Sequence, residues 1–296
     1  MIRFHSQQEE FEISGVRFGG QPGKHRTVMI GSLGYPRHSI IEDRVTGRCK
    51  EGSFERLLTS LAAAAEETST PGGVMLFAET AEAMEAHLRK AVDLTSMPLF
   101  IDSPSAEVRL SGARAAREMG ISERVIYNSL SAGTTSEELE AVRDARVTAA
   151  VLMAFNPRDT DLKGKIYLLE DGGGILPSGL IDLARQAGIT RPLVDTAVMA
   201  AEQGAGSALR AIMVAKAKWG LPAGCALHNA VESYRPLTSI AREDRKLYQY
   251  VDEASAVMPI MAGGDFVVYG PLEHARRVFY AASFADEMMR QAATDL

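Results

Sequence analysis

Eight short hydrophobic runs alternate along the chain with longer segments rich in Ala, Leu, Glu and Arg, and this alternation constrains the fold more than any other feature. The longer segments have helical periodicity, which makes the pattern typical of repeated βα units around a parallel sheet. Eight strands are the number that closes an α/β barrel. We therefore predict an α/β fold, a (β/α)8 TIM barrel that forms one domain over residues 1–296. The predicted strands are Thr27–Ile30, Val74–Ala78, Leu99–Ile101, Arg124–Tyr127, Thr148–Ala154, Pro192–Val194, Ala223–Leu227 and Phe266–Tyr269.

The segment before the first run predicts an N-terminal β-hairpin. Phe11 to Phe18 alternates apolar and polar residues, and Ser14 and Gly15 at its centre suit a tight turn. We expect residues 1–26, which contain this hairpin, to cap the bottom of the barrel. The polar stretch Pro36–Gly52 is too long for a tight βα connection. Because it follows the first strand, we expect it on the edge of the barrel that carries function.

Polar residues recur where the hydrophobic runs end. A strand that is apolar along its length and polar only at its last position usually opens onto a pocket. Carboxylates and amides, with no obvious nucleophile among them, suit a flat heterocycle rich in hydrogen-bonding groups, such as a pterin. A second interpretation stays open, in which each Asp or Asn only caps the helix that follows its strand. The strand-end residues are Asp102, Asn128, Asn156, Asp195 and the pair His228-Asn229.

Composition and charge exclude several classes of protein. The formal net charge is -6 and no helix carries a row of basic residues, which argues against nucleic-acid binding. No stretch reaches the roughly 18 consecutive apolar residues of a membrane-spanning helix, and the polar segment Met1–Glu10 is unlike a secretion signal. Cys49 and Cys225 are far apart, so we expect no disulfide. We predict a cytoplasmic protein without a membrane or nucleic-acid partner.

Other catalytic motifs are incomplete. Only His228, together with His25 or His38, is placed near predicted strand ends, and we predict no metal site. Gly204-Ala205-Gly206 resembles part of a dinucleotide fingerprint but lacks its third glycine and acidic partner. The chain contains Ser, His and Asp residues that could be combined into a catalytic triad, but it has no G-x-S-x-G nucleophile elbow. No lysine ends a predicted strand, as a Schiff-base enzyme would need.

Six sequence blocks are distinctive: Phe11–Gly23, Phe100–Ser103, Tyr127–Ser129, Ala154–Asn156, Lys163–Lys165 and Gly204–Gly206. They resemble the H subunit of tetrahydromethanopterin S-methyltransferase, and the resemblance spans nearly the whole chain. Within that family the chain is most similar to soluble bacterial methylcorrinoid:tetrahydrofolate methyltransferases. Those enzymes work with a separate corrinoid protein in the demethylation of methylamine-type compounds such as glycine betaine.

The resemblance implies residue roles. The family belongs to a wider group of pterin-binding barrels, in which an Asp after strand three, an Asn after strand four, an Asp after strand six and an Asn after strand seven hold the pterin. These positions correspond here to Asp102, Asn128, Asp195 and Asn229. We add Asn156 as a further pterin contact. We assign the catalytic hydrogen bond to N5 of the pterin to Asn229, with Asp102 sharing the proton.

The resemblance also implies an activity. The expected enzyme is a methyltransferase that moves a methyl group between methylcobalamin, carried by a partner corrinoid protein, and N5 of tetrahydrofolate, giving 5-methyltetrahydrofolate. A homodimer is expected, since relatives form one through barrel helices. Two alternatives stay open: a pterin-condensing enzyme similar to dihydropteroate synthase, and a docking component of a tetrahydromethanopterin methyltransferase complex.

Overall fold

A closed barrel of eight parallel strands forms the centre of the protein in the computed structural model, which describes residues 3–294. Around the barrel the strand order is β10-β11-β12-β3-β6-β7-β8-β9. The predicted (β/α)8 barrel is therefore confirmed, and each of the eight predicted runs contributes one strand. The strands are β1 (Glu10–Ile13), β2 (Val16–Gly19), β3 (Val28–Leu33), β4 (Ile41–Asp43), β5 (Arg48–Cys49), β6 (Gly72–Phe77), β7 (Leu99–Asp102), β8 (Val125–Leu130), β9 (Ala149–Met153), β10 (Arg191–Asp195), β11 (Ala223–Cys225) and β12 (Phe266–Pro271).

Helices follow the barrel strands and form the outer layer. Thr80 accepts a hydrogen bond from the backbone N–H of Ala83 and so caps α2, as the sequence predicts. Gly120 follows α3 with a φ of 70°, a left-handed conformation that glycine adopts without a Cβ penalty. The helices are α1 (Ser53–Thr68), α2 (Ala81–Leu94), α3 (Ala106–Glu118), α4 (Ser136–Asp144), α5 (Leu162–Glu170), α6 (Leu180–Gln186), α7 (Ala205–Trp219), α8 (His228–Ser233), α9 (Arg235–Thr238), α10 (Arg245–Met261) and α11 (Ala275–Thr294).

Both faces of the barrel strands are buried, which explains why the strands read as continuous apolar runs. In β6, Val74 and Leu76 point outward and pack in the layer between strands and helices. Met75, between them, points inward and belongs to a separate cluster inside the barrel. In the part of the chain that the structure describes, side chains therefore fill the barrel and leave no open channel along its axis.

The N-terminal hairpin closes the bottom of the barrel. β1 and β2 pair antiparallel, with Ser14 and Gly15 at the turn, which confirms the predicted hairpin. Ile13 and Phe18 are fully buried in the inner cluster. The Phe18 ring meets the rings of Phe100 and Phe266 edge-on, with both centroid distances at 6.5 Å. These contacts seal the end of the barrel where the strands begin.

The predicted long loop after the first barrel strand contains a short antiparallel ribbon. β4 and β5 pair there, between Ile41 and Cys49. His38, at the start of this loop, is buried and lies 2.8 Å from a carboxylate oxygen of Glu273, which follows β12. This contact ties the loops after the first and last barrel strands together. None of the helices described between residues 3 and 294 has the length and hydrophobicity needed to cross a bilayer.

Candidate active site at the carboxyl end of the barrel

Three of the predicted site residues face the inside of the barrel at the end where the strands finish. Asp102 and Asp195 are the last residues of β7 and β10, and Asn128 lies beside Asp102 in β8. Side chains alternate along a strand, so each of these residues points the same way as the residue two positions before it. Those earlier residues belong to the inner cluster, and the three polar side chains therefore form the next layer above it. The inner-cluster residues are Phe100, Ile126 and Leu193.

Asp102 and Asn128 are hydrogen-bonded to each other. The Asn128 amide nitrogen donates to Asp102 Oδ1 at 3.1 Å and lies 3.8 Å from the sulfur of Met75. Met75 thus forms the floor beneath the pair. The structure gives Asn128 Oδ1 and Asp102 Oδ2 no hydrogen-bond partner among residues 3–294. Both oxygens are therefore available for hydrogen bonds with a ligand.

Burial raises the pKa of both strand-end carboxyls. The pKa of Asp102 rises to about 7 because desolvation outweighs the attraction of Arg109, and the negative charge of Asp195 raises it further. Desolvation raises the pKa of Asp195 to about 6, while the Ala197 N–H and the Lys165 charge act in the opposite direction. The two carboxyls lie at the same end of the barrel, since each is the last residue of a parallel strand.

A buried cation lies behind each of these carboxyls. Arg109 of α3 donates to the carbonyl oxygen of Ser103, the residue after Asp102, at 2.6 Å. Lys165 of α5 donates to the carbonyl oxygen of Thr196, the residue after Asp195, at 2.9 Å. Both cations hold the loops that carry the acids. Neither role was predicted from the sequence.

The sequence does carry a weak signal for Lys165. It precedes Leu168 and Leu169 by three and four residues, so it lies on the buried face of α5. A lysine at such a position needs a polar partner, because burying an unpaired ammonium is costly. That requirement points to an internal acceptor, and the structure supplies backbone carbonyls.

Asn229 lies at the same end of the barrel but not at a strand end. The predicted strand Ala223–Leu227 stops at Cys225, and His228 and Asn229 begin the short helix α8, so this placement was wrong. The chain turns early because the N–H groups of Asn229 and Ala230 bond to the carbonyls of Ala226 and Leu227. The Asn229 amide nitrogen donates to the carbonyl oxygen of Val198 at 2.8 Å. Asn229 therefore connects α8 to the loop that follows Asp195.

Asn156 occupies a different environment. It lies three residues beyond the end of β9 and is 3% exposed. Its side-chain oxygen accepts from the backbone N–H of Arg158 at 2.9 Å, and its nitrogen lies 3.5 Å from the carbonyl oxygen of Gly164. The amide thus shapes the loop before α5, as an Asx turn does. Its contact with a pterin stays a prediction.

Of the histidines considered for a metal site, His25 lies at the hairpin end of the barrel, whereas His38 and His228 both lie near the end of β12. His25 pairs with Glu10 at the hairpin, at 2.8 Å, and His38 contacts Glu273 at the opposite rim. The His228 ring lies against Gly270 of β12, close enough that a Cβ there would be 2.7 Å away. Among residues 3–294, no group of three or more His, Cys, Asp or Glu side chains is placed to hold a metal ion.

A separate cavity of about 550 Å³ lies at the other end of the barrel. Its lining includes Phe11 of the hairpin, Pro192 near the start of β10 and Trp219 at the end of α7. None of the strand-end polar residues lines it. The strand-end carboxyls with raised pKa values are in the mouth, and the mouth is therefore the stronger candidate for chemistry.

Comparison with known proteins identifies the family. Residues 6–296 match the family described as tetrahydromethanopterin S-methyltransferase MtrH subunit. The chain is 39% identical to the H subunit of tetrahydromethanopterin S-methyltransferase from Methanothermobacter marburgensis, a match that covers 100% of this chain and 96% of that protein. It is 32% identical to the protein of the same name from Methanocaldococcus jannaschii, again over 100% of this chain and 96% of the other.

Solved structures show the same fold at low sequence identity. A dihydropteroate synthase from Yersinia pestis with a bound pterin-sulfa conjugate has a TM-score of 0.64 and 14% identity, covering 96% of this chain and 100% of the other. The enzyme from Xanthomonas albilineans in complex with 7,8-dihydropteroate has a TM-score of 0.61 and 17% identity, covering 97% and 99%. At this identity the likeness establishes the barrel fold alone. The full-length sequence match establishes the family: this chain belongs to the MtrH family of tetrahydromethanopterin S-methyltransferase proteins.

Proposed function

We propose that the mouth of the barrel binds a reduced pterin and that the protein transfers a methyl group between N5 of this pterin and a corrinoid carried by a partner protein. Tetrahydrofolate is the pterin we propose. The proposal is supported by the carboxyls of Asp102 and Asp195 and the amide of Asn128 at the carboxyl ends of three barrel strands, with Asn229 in the short helix that follows β11 at the same end. The relatives named as tetrahydromethanopterin methyltransferases support the same class of reaction.

The polar groups of the mouth match the edge of a pterin. The pyrimidine ring of a pterin presents an N–H beside an exocyclic amino group, and a carboxylate accepts such a donor pair with two parallel bonds. We assign this contact to Asp195, because its Oδ1 has one backbone donor, Ala197 N–H at 2.8 Å, and its Oδ2 has none among residues 3–294. The side-chain oxygens of Asn128 and Asp102 meet the remaining donors of the ring.

No protein nucleophile is needed for the transfer. In the direction of 5-methyltetrahydrofolate, the N5 lone pair forms the new C–N bond while the methyl–cobalt bond breaks and leaves its electron pair on cobalt. The side chains of the mouth therefore align the pterin and handle the N5 proton. Asn229 donates to or accepts from N5 without becoming charged. Asp102, with a pKa of about 7, takes up or returns the proton through water.

A pyrophosphate-dependent condensation is a poorer match to the site. That reaction needs free Lys or Arg side chains near strands six to eight, and two lysines of this region, Lys216 and Lys218, belong to α7. Lys216 is buried and bonds both carboxylate oxygens of Asp265, at 2.6 and 2.7 Å. Lys218 pairs with Glu170 on the outside of the barrel, at 2.5 Å.

A direct assay tests the proposed activity. The purified protein is mixed with methylcobalamin and tetrahydrofolate, and the cobalamin spectrum is followed while 5-methyltetrahydrofolate is measured. We expect the methyl-cobalt absorption to fall in step with the appearance of methylated pterin. A parallel reaction with tetrahydromethanopterin shows which pterin is preferred. Failure of transfer with both pterins, even with a corrinoid protein present, would refute the proposal.

The raised pKa values predict how pterin binding depends on pH. Asp195 accepts the pterin donors only when ionised, so we expect affinity to rise between about pH 5 and about pH 7 and to level off above. The stability of the pterin-free protein depends on pH in the opposite direction. A carboxyl with a raised folded-state pKa contributes stability that is complete below about pH 4 and is lost as pH rises through about 6 to 7.

Thermal unfolding with and without pterin checks this prediction. The increase in Tm on adding pterin should be larger near about pH 8 than near about pH 5.5. The reason is that ionisation of Asp195 strengthens pterin binding, although it lowers the stability of the pterin-free protein. An Asp195→Asn variant, which does not titrate at this position, should lose most of this pH dependence. An equal increase at both pH values in the wild type would contradict the assignment of Asp195.

A further inference from the structure

We propose that Lys165 is a positioning residue of the pterin site, holding the Thr196–Ala197 turn that orients Asp195 and supplying the positive charge that keeps this carboxylate ionised. This inference rests on the function proposed above and extends it to a residue outside the mouth. Lys165 contacts neither the mouth nor its opening. It acts through Asp195.

A chain of three hydrogen bonds links Lys165 to the carboxylate. The Lys165 ammonium donates to the carbonyl oxygens of Thr196 and Ala197, at 2.9 and 2.7 Å. Ala197 has a φ of 55°, a left-handed conformation that is uncommon for a residue with a Cβ. In this conformation its N–H points back to Asp195 Oδ1, at 2.8 Å. The two contacts of the Lys165 ammonium therefore fix the turn that directs the Ala197 N–H toward Asp195.

A lysine would be an unfavourable residue at this position if its only role were to fill space in the core. Its side chain is 1% exposed, and burial lowers the pKa of its ammonium. An apolar side chain of similar length would fill the same space without desolvating a charge. Two backbone carbonyls stabilise an ammonium only partly, because they carry no full negative charge. The ionised Asp195 supplies that charge, and the interaction favours the ionised form of both groups.

The other ionisable groups around the pair come from three elements. Cys225 of β11 lies beside Asp195, and burial raises the pKa of its thiol, so it stays neutral. Asp161, just before α5, adds a negative charge that favours the ammonium of Lys165. Asp102, across the mouth, repels Asp195 when both are ionised. Among the described residues, Lys165 is the positive group whose charge opposes the effect of burial on the pKa of Asp195, in the same direction as the Ala197 N–H.

The test is the pH profile of pterin binding in Lys165→Met. We expect the midpoint of the profile to rise by about one pH unit or more, the size of effect that a nearby opposite charge has on a carboxyl. The loss of tetrahydrofolate affinity caused by a one-unit shift should then be about threefold near about pH 6.5, approach roughly tenfold near about pH 5 and be negligible near about pH 8.5. A lysine that only tied the loop to α5 would lower affinity by the same factor at every pH. That result would overturn the inference.

Two further variants keep the test decisive. Lys163→Met removes an exposed lysine from the same helix and should leave both affinity and midpoint at wild-type values. In an Asp195→Asn background, Lys165→Met should lower affinity by the same factor at every pH, because the group whose ionisation Lys165 supports no longer titrates. A pH-dependent loss of affinity in that background would also overturn the inference.

The remaining outcomes are equally distinct. If Lys165→Met does not fold, Lys165→Arg takes its place: we expect weaker binding with a wild-type midpoint, since the charge is kept while the two carbonyl contacts change. Wild-type affinity in Lys165→Arg would count against the positioning role. A wild-type protein that binds neither tetrahydrofolate nor tetrahydromethanopterin at any pH refutes the proposed function itself, together with this inference.

Discussion

Asn229→Ala should slow methyl transfer by on the order of a hundredfold while changing pterin affinity much less. The reason is that the proposed amide contact to N5 matters most while the basicity of N5 is changing, and an alanine offers neither a donor nor an acceptor. Single-turnover rates with methylcobalamin, measured at saturating pterin, give the effect on the transfer step. Pterin affinity is measured separately by titration. Equal losses of rate and affinity would reassign Asn229 to binding.

A matched control is needed because Asn229 also holds a loop. Its amide donates to the carbonyl oxygen of Val198, so alanine loosens the segment after Asp195 as well. Ser233, on the same helix, makes a comparable contact: its hydroxyl oxygen accepts from Ala201 N–H of the same loop, at 2.8 Å. Ser233→Ala should reduce the transfer rate only a few-fold, on the order of the loss of one loop hydrogen bond. A hundredfold loss in this variant would attribute the Asn229 effect to the loop.

Asp195→Ala should weaken pterin binding by about 2 to 3 kcal/mol, which is roughly 30- to 150-fold. Two donors on the pterin edge lose their charged acceptor in this variant. The rate at saturating pterin should fall much less than the affinity. Calorimetry or fluorescence titration above about pH 7.5, where the wild-type carboxyl is ionised, measures the largest difference. Unchanged affinity would remove Asp195 from the pterin site.

Asp171 offers a control for the local backbone contact of Asp195. Asp195 accepts from the N–H two residues later, and Asp171 accepts in the same way from Gly173 N–H at 2.9 Å. Asp171 lies in the exposed turn that follows α5. Asp171→Ala should therefore leave pterin affinity within about twofold of the wild type, since surface changes of this kind have small effects. The contrast between the two variants separates the pterin contact from the turn.

The sequence was sufficient for the barrel and for the inward-facing acids. The alternation of side-chain direction along a strand is a local property. Phe100 and Leu193 are apolar and point inward, so Asp102 and Asp195, two residues later, point the same way. The end of a parallel strand is also a local property, marked by the change from apolar to polar residues. These two facts place both carboxylates at one mouth without any knowledge of the helices.

Other features depend on contacts between distant segments. Strand β11 ends at Cys225 because the following residues form a helical turn, and the apolar run up to Leu227 does not reveal this. The charge of Lys165 is stabilised by carbonyls that lie 31 and 32 residues away in the sequence. The raised pKa of Asp102 likewise comes from burial and from Asp195, on another strand. Periodicity reports on neighbours along the chain and carries no information about such partners.

The rings of Phe18, Phe100 and Phe266 close the end of the barrel where the strands begin, so that within residues 3–294 the carboxyl end is the open one. Under the proposed function, the small reactant lies deep, against Met75, and the bulky methyl carrier covers the opening above it. The carrier must then arrive second and depart first, because nothing passes beneath it. Steady-state kinetics should accordingly show a compulsory order, with excess carrier trapping the methylated product and inhibiting turnover.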